Sequence, residues 1–214
     1  MKVSAEFVTS AAGAGGFPGE RLPEVALIGR SNVGKSSLLN ALARRAVART
    51  SAAPGKTRLA NFYRIVRGSS PPMFLVDLPG FGYARGGVVS ARSFDQLGRD
   101  YFERAAPPDN RLIAALLLVD ARHPGLDSDA DAWAWLGLQP CPRAVVGTKV
   151  DKLTRAERQR HARELNSLFQ RPVPMVSAHT GEGLEELWKL IVRLPNRTAD
   201  PEPPPPPPPR PRQP

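Results

Sequence analysis

Short apolar runs recur along the chain, and those at 25–29, 111–121 and 143–147 lack a polar face, which is typical of strands buried on both sides of a sheet. They predict strands at 25–29, 61–67, 73–77, 111–121, 143–147 and 173–177. The second and third runs are separated only by Gly-Ser-Ser-Pro-Pro, which predicts an antiparallel hairpin. The remaining runs are separated by segments long enough for a crossover, so these strands are expected to be parallel.

Between the apolar runs, hydrophobic residues recur every three or four positions, which predicts helices over 34–45 and 183–194. The sequence Thr154-Arg155-Ala156-Glu157 is typical of a capping box, so another helix is expected to begin there and to run to about Gln170. This alternation predicts a three-layer α/β domain with a mostly parallel six-stranded sheet and one antiparallel edge strand.

Composition changes abruptly at both ends of the chain. Residues 1–22 are small, Gly-rich and weakly patterned, which favours an extended arm before a single domain over 23–195. Residues 196–214 are dominated by proline, so we expect a disordered or polyproline II tail that buries little surface.

The chain has 214 residues, and 30 Lys and Arg against 20 Asp and Glu give a formal net charge of +10. Such an excess favours a polyanionic partner, either nucleic acid or an anionic membrane surface. A single cysteine excludes a disulfide framework and is typical of a reducing cytosol. The N-terminus lacks a secretory apolar region, and the longest apolar run, 112–119, is too short to span a bilayer. We therefore expect a cytoplasmic protein without stable membrane insertion.

A Gly-x-x-x-x-Gly-Lys-Ser motif lies between the first predicted strand and the first predicted helix. Its residues are Gly29, Arg30, Ser31, Asn32, Val33, Gly34, Lys35 and Ser36, with Ser37 next in the helix. The backbone N–H groups of such a P-loop hold polyphosphate, Lys35 would reach the β- and γ-phosphates, and Ser36 would ligate Mg²⁺. The motif predicts a P-loop NTPase, with Lys35 as a catalytic residue.

Two later motifs predict which base is bound. Thr148-Lys149-Val150-Asp151 follows an apolar strand, where the Asp151 carboxylate can accept two hydrogen bonds from guanine. Adenine has no such donor pair, so an ATP-using enzyme is disfavoured. Ser177 and Ala178, after the last predicted strand, would offer a backbone N–H to the guanine carbonyl.

Asp77, Leu78, Pro79 and Gly80 form an Asp-x-x-Gly motif at the end of the third apolar run. Taken alone, Asp-Leu-Pro-Gly is also typical of a tight turn after a strand. In this motif order we interpret Asp77 as holding Mg²⁺ through water and Gly80 N–H as sensing the γ-phosphate. Hydrolysis would release that contact and relax the loop.

These motifs make the chain resemble the EngB (YihA) GTPases of bacterial ribosome assembly, in the TrmE–Era–EngA–YihA–septin superfamily. The resemblance rests on GRSNVGKSS (29–37), PGKTR (54–58), NFY (61–63), LVDLPGFGYA (75–84), VDARHP (119–124), TKVDKL (148–153) and SAHTG (177–181). It implies the G-domain form of the P-loop fold, GTP and GDP as ligands, Mg²⁺ as cofactor and a monomer in the cytoplasm. It also implies a partner, the large ribosomal subunit or its precursor, and a requirement for normal cell division and septation.

The resemblance assigns further residues by position. Gly55, Lys56 and Thr57 correspond to switch I, where Thr57 ligates Mg²⁺; the sequence alone does not prefer Thr57 to Thr50. Asn32 lies where related GTPases hold K⁺ beside the phosphates, and a turn-favouring asparagine explains it equally well.

Phe81 stands where Ras-like GTPases carry the glutamine that orients the attacking water. A phenyl ring cannot do this, so the resemblance implies slow hydrolysis that a cation or a partner assists. The other hypothesis is a GTP-regulated binding protein, without meaningful catalysis, at the division site or membrane.

Overall fold

The computed structural model describes residues 2–48, 59–81, 96–105 and 111–196. The strands are β1 Val3–Ala11, β2 Glu24–Gly29, β3 Ala60–Arg67, β4 Met73–Asp77, β5 Leu112–Asp120 and β6 Arg143–Thr148. The helices are α1 Lys35–Ala43, α2 Gln96–Ala105, α3 Asp127–Gly137, α4 Arg155–Phe169 and α5 Leu184–Arg193. Within the described ranges, each helix is too short or too polar to cross a lipid bilayer.

The strands form one six-stranded sheet in the order β1-β3-β4-β2-β5-β6. Strands β4, β2, β5 and β6 are parallel, whereas β3 is antiparallel to both β4 and β1. Helices cover both faces, so the side chains of β2 and β6 are all buried. This three-layer α/β sheet confirms the predicted fold class.

The two outer strand assignments differ from the sequence prediction. Residues 3–11, predicted as an arm outside the domain, pair with β3, although β1 buries only Ala5 and Ala11 and so lacks a clear apolar period. Residues 173–177, predicted as a strand, make only an isolated bridge between Gly147 and Met175. Pro174 has no N–H with which to extend a ladder, so the pairing there ends after one residue.

Two apolar clusters lie on opposite faces of the sheet. One packs beneath α2, α3 and α4, and the other beneath α1 and α5. The predicted capping box is present at the start of α4, where Thr154 and Glu157 bond reciprocally. Since β2, β4, β5 and β6 are parallel, their carboxyl ends meet at one edge, which is where ligands bind in open α/β sheets.

Candidate functional site

The loop between β2 and α1 has the backbone shape that a phosphate cradle requires. Asn32 and Gly34 have φ values of 63° and 111°, and α1 begins immediately afterwards at Lys35. A Cβ atom on Gly29 would lie 2.7 Å from the Leu118 carbonyl oxygen, so the loop packs against β5 only because Gly29 has no side chain. The N-terminus of α1 therefore faces the inside of the loop, where its N–H groups and dipole favour an anion.

Lys35 is folded beneath this loop and is 8% exposed. Its Nζ donates hydrogen bonds to the carbonyl oxygens of Gly29, at 3.0 Å, and Arg30, at 3.2 Å. Burial lowers the pKa of Lys35, and the nearby Asp77 carboxylate opposes that shift. A bound phosphate would supply the ammonium group with stronger acceptors than these carbonyl oxygens.

Asp77 and Ser36 meet at the carboxyl end of β4. The Ser36 hydroxyl donates to Asp77 Oδ2 at 2.6 Å, while Asp77 Oδ1 is buried without a hydrogen-bond partner among the described residues. Burial raises the pKa of Asp77, and the charge of Lys35 and the bond from Ser36 act in the opposite direction. A hydroxyl beside an unsatisfied carboxylate oxygen fits Mg²⁺, which takes oxygen ligands and completes its shell with water and phosphate oxygens.

The segment after Asp77 returns to the phosphate loop. Leu78 N donates to the Leu27 carbonyl, Pro79 follows at the surface, and a Cβ atom on Gly80 would lie 2.8 Å from Ser31 N. Ser31 N in turn donates to the Phe81 carbonyl at 3.2 Å. Gly80 is thus held against the loop by a contact that only glycine permits.

The Phe81 side chain is 4% exposed and belongs to the apolar cluster beneath α2, α3 and α4. A ring packed in this core has no polar atom to direct a water molecule. The side chain that follows the Asp-x-x-Gly motif is therefore apolar and buried in this chain.

A cavity of about 320 Å³ opens beside the phosphate loop and is formed by three segments of the chain. Its lining includes Val33, Ser37, Thr148, Lys149, Asp151 and Ala178. The cavity therefore lies between α1, the end of β6 and the end of the 173–177 segment. It lies where the two later motifs predict the purine base.

Asp151 is oriented within this cavity by Ser177. The buried Ser177 hydroxyl donates to Asp151 Oδ1 at 2.7 Å and accepts from the backbone N–H groups of His179 and Thr180, each at 3.1 Å. The bond from Ser177 lowers the pKa of Asp151, so the carboxylate is ionised at neutral pH. Ser177 N donates to the Glu182 carbonyl, so Ala178 N–H is the better placed of the two amides to meet a ligand.

Thr148 and Lys149 connect the cavity to the phosphate loop. Thr148 Oγ1 bonds to the carbonyl oxygens of Val33, at 2.8 Å, and Val119, at 3.1 Å. Lys149 has a φ of 62°, and its Nζ donates to the Asn32 carbonyl and to Asp120 Oδ2, the latter at 2.9 Å. The base cavity and the phosphate loop are therefore connected by direct hydrogen bonds.

The predicted site residues within the described ranges gather at one edge of the sheet, in two adjoining parts. Gly55, Lys56 and Thr57, with the alternative Thr50, lie outside the described residues. Two carboxylates were not predicted from the sequence: Asp120, which contacts Lys149, and Asp129, which is 2% exposed at the start of α3. The signal for Asp120 was present, since an acidic residue ends an apolar strand in Val119-Asp120-Ala121-Arg122.

Comparison with known proteins agrees with this architecture. A family model described as a 50S ribosome-binding GTPase matches residues 24–148. The GTP-binding protein EngB of Pelotomaculum thermopropionicum is 46% identical over 200 residues, which cover 90% of this chain and 96% of that protein. EngB of Solibacter usitatus is 40% identical over 190 residues, which cover 88% and 95%.

Solved structures share the fold at lower identity. Era in complex with MgGDPNP and nucleotides 1506–1542 of 16S ribosomal RNA has a TM-score of 0.66 and 24% identity, covering 81% of this chain and 57% of Era. A crystal structure of an EngB GTP-binding protein has a TM-score of 0.55 and 20% identity, covering 81% of this chain and 98% of the other. With the fold, the motifs and these relatives in agreement, the chain belongs to the EngB family of GTP-binding proteins.

Proposed function

We propose that this protein is a Mg²⁺-dependent GTP switch that hydrolyses GTP slowly and, in its GTP state, docks as a monomer on the large ribosomal subunit or its precursor. The observation that carries the guanine assignment is the Asp151 carboxylate, which Ser177 fixes in a cavity beside the phosphate loop. An ionised acceptor held in this way matches the N1–H and amino donors of guanine and leaves adenine without a partner.

Mg²⁺ would be held by the Ser36 hydroxyl and, through water, by Asp77, with Thr57 as a further ligand. The unsatisfied Asp77 Oδ1 supports this assignment, because a buried carboxylate oxygen is stable only with a donor or a cation. The bound ion would neutralise charge on the β- and γ-phosphates. Lys35 would bind the same phosphates, and Gly80 N–H would detect the γ-phosphate.

We expect slow hydrolysis because the Phe81 side chain is apolar and buried. No side chain at this position can therefore orient the attacking water. Asn32 is the residue through which K⁺ could assist. Its φ of 63° is one that asparagine tolerates, so conformation alone also explains the residue. Turnover measured in K⁺ and in Na⁺ separates these roles: a K⁺ ligand requires faster hydrolysis in K⁺, which Asn32→Gly abolishes.

The ribosomal partner is supported by the family model's description and by the net charge of +10. Salt dependence separates specific docking from attraction between a basic protein and RNA, because charge-driven binding falls steeply with salt and does not depend on the nucleotide. A role in cell division and septation would then follow from ribosome supply.

Co-sedimentation with large ribosomal subunits tests the proposal, with a non-hydrolysable GTP analogue and GDP compared at low and moderate salt. We expect binding that survives moderate salt and requires the analogue. Lys35→Ala should abolish the nucleotide dependence, whereas Lys189→Ala, which removes one exposed charge on α5, should retain it. Binding that is salt-labile and independent of nucleotide would reject the ribosomal switch and favour a GTP-regulated partner at the division site or membrane.

A further inference from the structure

Asp120 is the last residue of β5 and lies beside the base-recognition motif. In the parallel pairing of β5 with β6, Asp120 is opposite Thr148, the first residue of that motif. The Ala121 N–H donates to the Thr148 carbonyl at 3.0 Å, so the pairing continues one residue past Asp120. The position of Asp120 relative to Lys149 is therefore set by the backbone of the sheet.

Both oxygens of the Asp120 carboxylate are bonded within the protein. Oδ1 accepts from Arg122 Nε at 2.9 Å and from the Arg122 backbone N–H at 3.1 Å, and Oδ2 accepts from Arg122 Nη2 at 2.7 Å. The fourth bond comes from Lys149 Nζ at 2.9 Å, also to Oδ2. A two-pronged guanidinium contact fixes the plane of a carboxylate, so Arg122 determines the direction in which Oδ2 faces Lys149.

The short segment that carries these two residues is anchored from a third element. His161, buried on α4, has its Nδ1 2.8 Å from the carbonyl oxygen of Ala121, between Asp120 and Arg122. A carbonyl oxygen can only accept, so Nδ1 is the donor. The carboxylate is thus held by bonds from Arg122 and Lys149, and α4 anchors the backbone between Asp120 and Arg122.

Lys149 needs such support because its geometry is demanding. Its backbone is in the left-handed region at φ 62°, and its side chain must reach from the cavity wall to the Asn32 carbonyl of the phosphate loop. An exposed lysine samples many rotamers, and fixing it costs conformational entropy. The Asp120 carboxylate supplies the second contact that fixes the ammonium group.

We propose that Asp120 and Arg122 are positioning residues of the guanine site, which hold Lys149 in the orientation that covers the base and contacts the phosphate loop. This inference rests on the proposed function, which places Lys149 against the purine. It gives the Asp-Ala-Arg sequence at the end of β5 a role in nucleotide affinity. Burial alone would raise the pKa of Asp120, but the bonds from Arg122 and Lys149 outweigh it and hold the value at about 2, so the carboxylate is charged at neutral pH.

A purely structural role would be to close the end of β5 by an ion pair between Asp120 and Arg122. That role predicts a loss of stability that does not depend on Lys149. The positioning role predicts a loss of nucleotide affinity that requires Lys149. A double-mutant cycle between the two sites separates these predictions.

The experiment measures the Kd of GDP by calorimetry for Asp120→Asn, in the native chain and in a Lys149→Met chain. Asp120→Asn keeps the shape and removes the charge, and we expect the Kd to rise about tenfold in the native chain. In the Lys149→Met chain we expect it to change less than about twofold, because the group being positioned is gone. Asp127→Asn, an exposed carboxylate on α3, is the charge-matched control and should leave the Kd unchanged.

Arg122→Ala provides a second route if Asp120→Asn does not fold, since the Arg122 side chain is 40% exposed and its removal leaves no cavity. We expect a rise of about threefold in Kd, with the melting temperature of the nucleotide-free protein nearly unchanged. An unchanged Kd in both variants, or an equal loss with and without Lys149, would overturn the inference while leaving the guanine site intact. Failure of the wild-type protein to bind GDP would instead overturn the proposed function.

Discussion

The two parts of the candidate nucleotide site differ in how far the protein itself satisfies their charges. Asp77, on the phosphate side, and Asp129, buried on α3, each keep a buried oxygen without a hydrogen-bond partner within the described ranges, and burial raises the pKa of both. On the base side, Asp151 and Asp120 accept bonds from fixed donors, and the pKa of each is lowered. The pKa is therefore raised for two of these carboxylates and lowered for the other two.

This difference indicates which part of the site is complete before the ligand arrives. The base cavity has its acceptor oriented and its volume open, so guanine can enter with little rearrangement. The phosphate side holds a buried lysine on carbonyl oxygens and a carboxylate with one oxygen that has no partner among the described residues. Phosphates and Mg²⁺ would supply the charges that are missing there, so we expect nucleotide binding to stabilise the phosphate side more than the base side.

The largest effect is expected at Lys35, because its ammonium group would bond to two phosphates. Lys35→Ala should raise the Kd of a non-hydrolysable GTP analogue about 1,000-fold, as two charge-assisted hydrogen bonds are lost. Titration with a fluorescent form of that analogue measures the change, and Lys189→Ala is the control for removal of one positive charge. A Kd within about tenfold of wild type would contradict the phosphate cradle and remove the contrast between the two sides.

The next effect is expected at Asp151, where the site identifies the base. Asp151→Asn should weaken GTP binding about 100-fold, since the amide presents a donor to a guanine donor. It should also create affinity for xanthosine triphosphate, whose carbonyl oxygen accepts from that amide. Competition between GTP and xanthosine triphosphate for the same variant measures both changes, and each nucleotide serves as the control for the other. An unchanged preference for GTP would show that Asp151 does not contact the base.

The next prediction concerns the buried carboxyl group of Asp129, whose raised pKa should make stability depend on pH. Burial raises its pKa to about 7, with Asp120 adding to the shift and Arg30 opposing it. The folded protein therefore holds a proton, between about pH 4 and 7, that the unfolded chain releases. Wild-type stability should fall as the pH rises through this window.

Asp129→Asn removes that pH dependence. Relative to wild type, we expect the variant to gain about 2 kcal/mol of unfolding free energy between pH 5 and pH 8, whereas the cost of burying the amide is the same at both pH values and does not enter this difference. Urea unfolding of the nucleotide-free protein at both pH values measures this. Asp127→Asn, on the exposed side of α3, should keep the wild-type slope. If the unfolding free energy changes equally with pH in wild type and in Asp129→Asn, Asp129 does not have a raised pKa in the folded protein.

The smallest effect is expected at Ser177, which orients an acceptor that is already ionised. Ser177→Ala should raise the Kd of GDP about fivefold, because Asp151 loses one hydrogen bond and becomes free to rotate. Calorimetry against Ser167→Ala, an exposed serine on α4, measures the difference. An unchanged Kd would mean that the base cavity does not depend on this bond, and the base side would then be less preorganised than proposed.

The sequence predicted most of the fold because the central strands are apolar on both faces and the motifs lie at their carboxyl ends. The prediction was wrong for the two outermost segments, β1 and 173–177, where the sequence pattern is weak or misleading. The strand β1 has few inward side chains, and Phe7 on that strand is half exposed, so no period indicates it. Conversely, the apolar letters of 173–177 favoured a strand, and Pro174 limits it to a bridge.

The sequence by itself determined the phosphate loop, the Asp-x-x-Gly turn and the base motif, because each is a contiguous stretch whose chemistry follows from residue type and spacing. Only the tertiary structure decided how those stretches support one another. Ser177 reaches Asp151 and Asp120 reaches Lys149 across 26 and 29 residues of chain, respectively. Burial cannot be inferred from the sequence at a single carboxylate. Asp77 and Asp120 both end apolar strands, and only their neighbours in space leave one oxygen of Asp77 without a partner among the described residues while both oxygens of Asp120 are bonded.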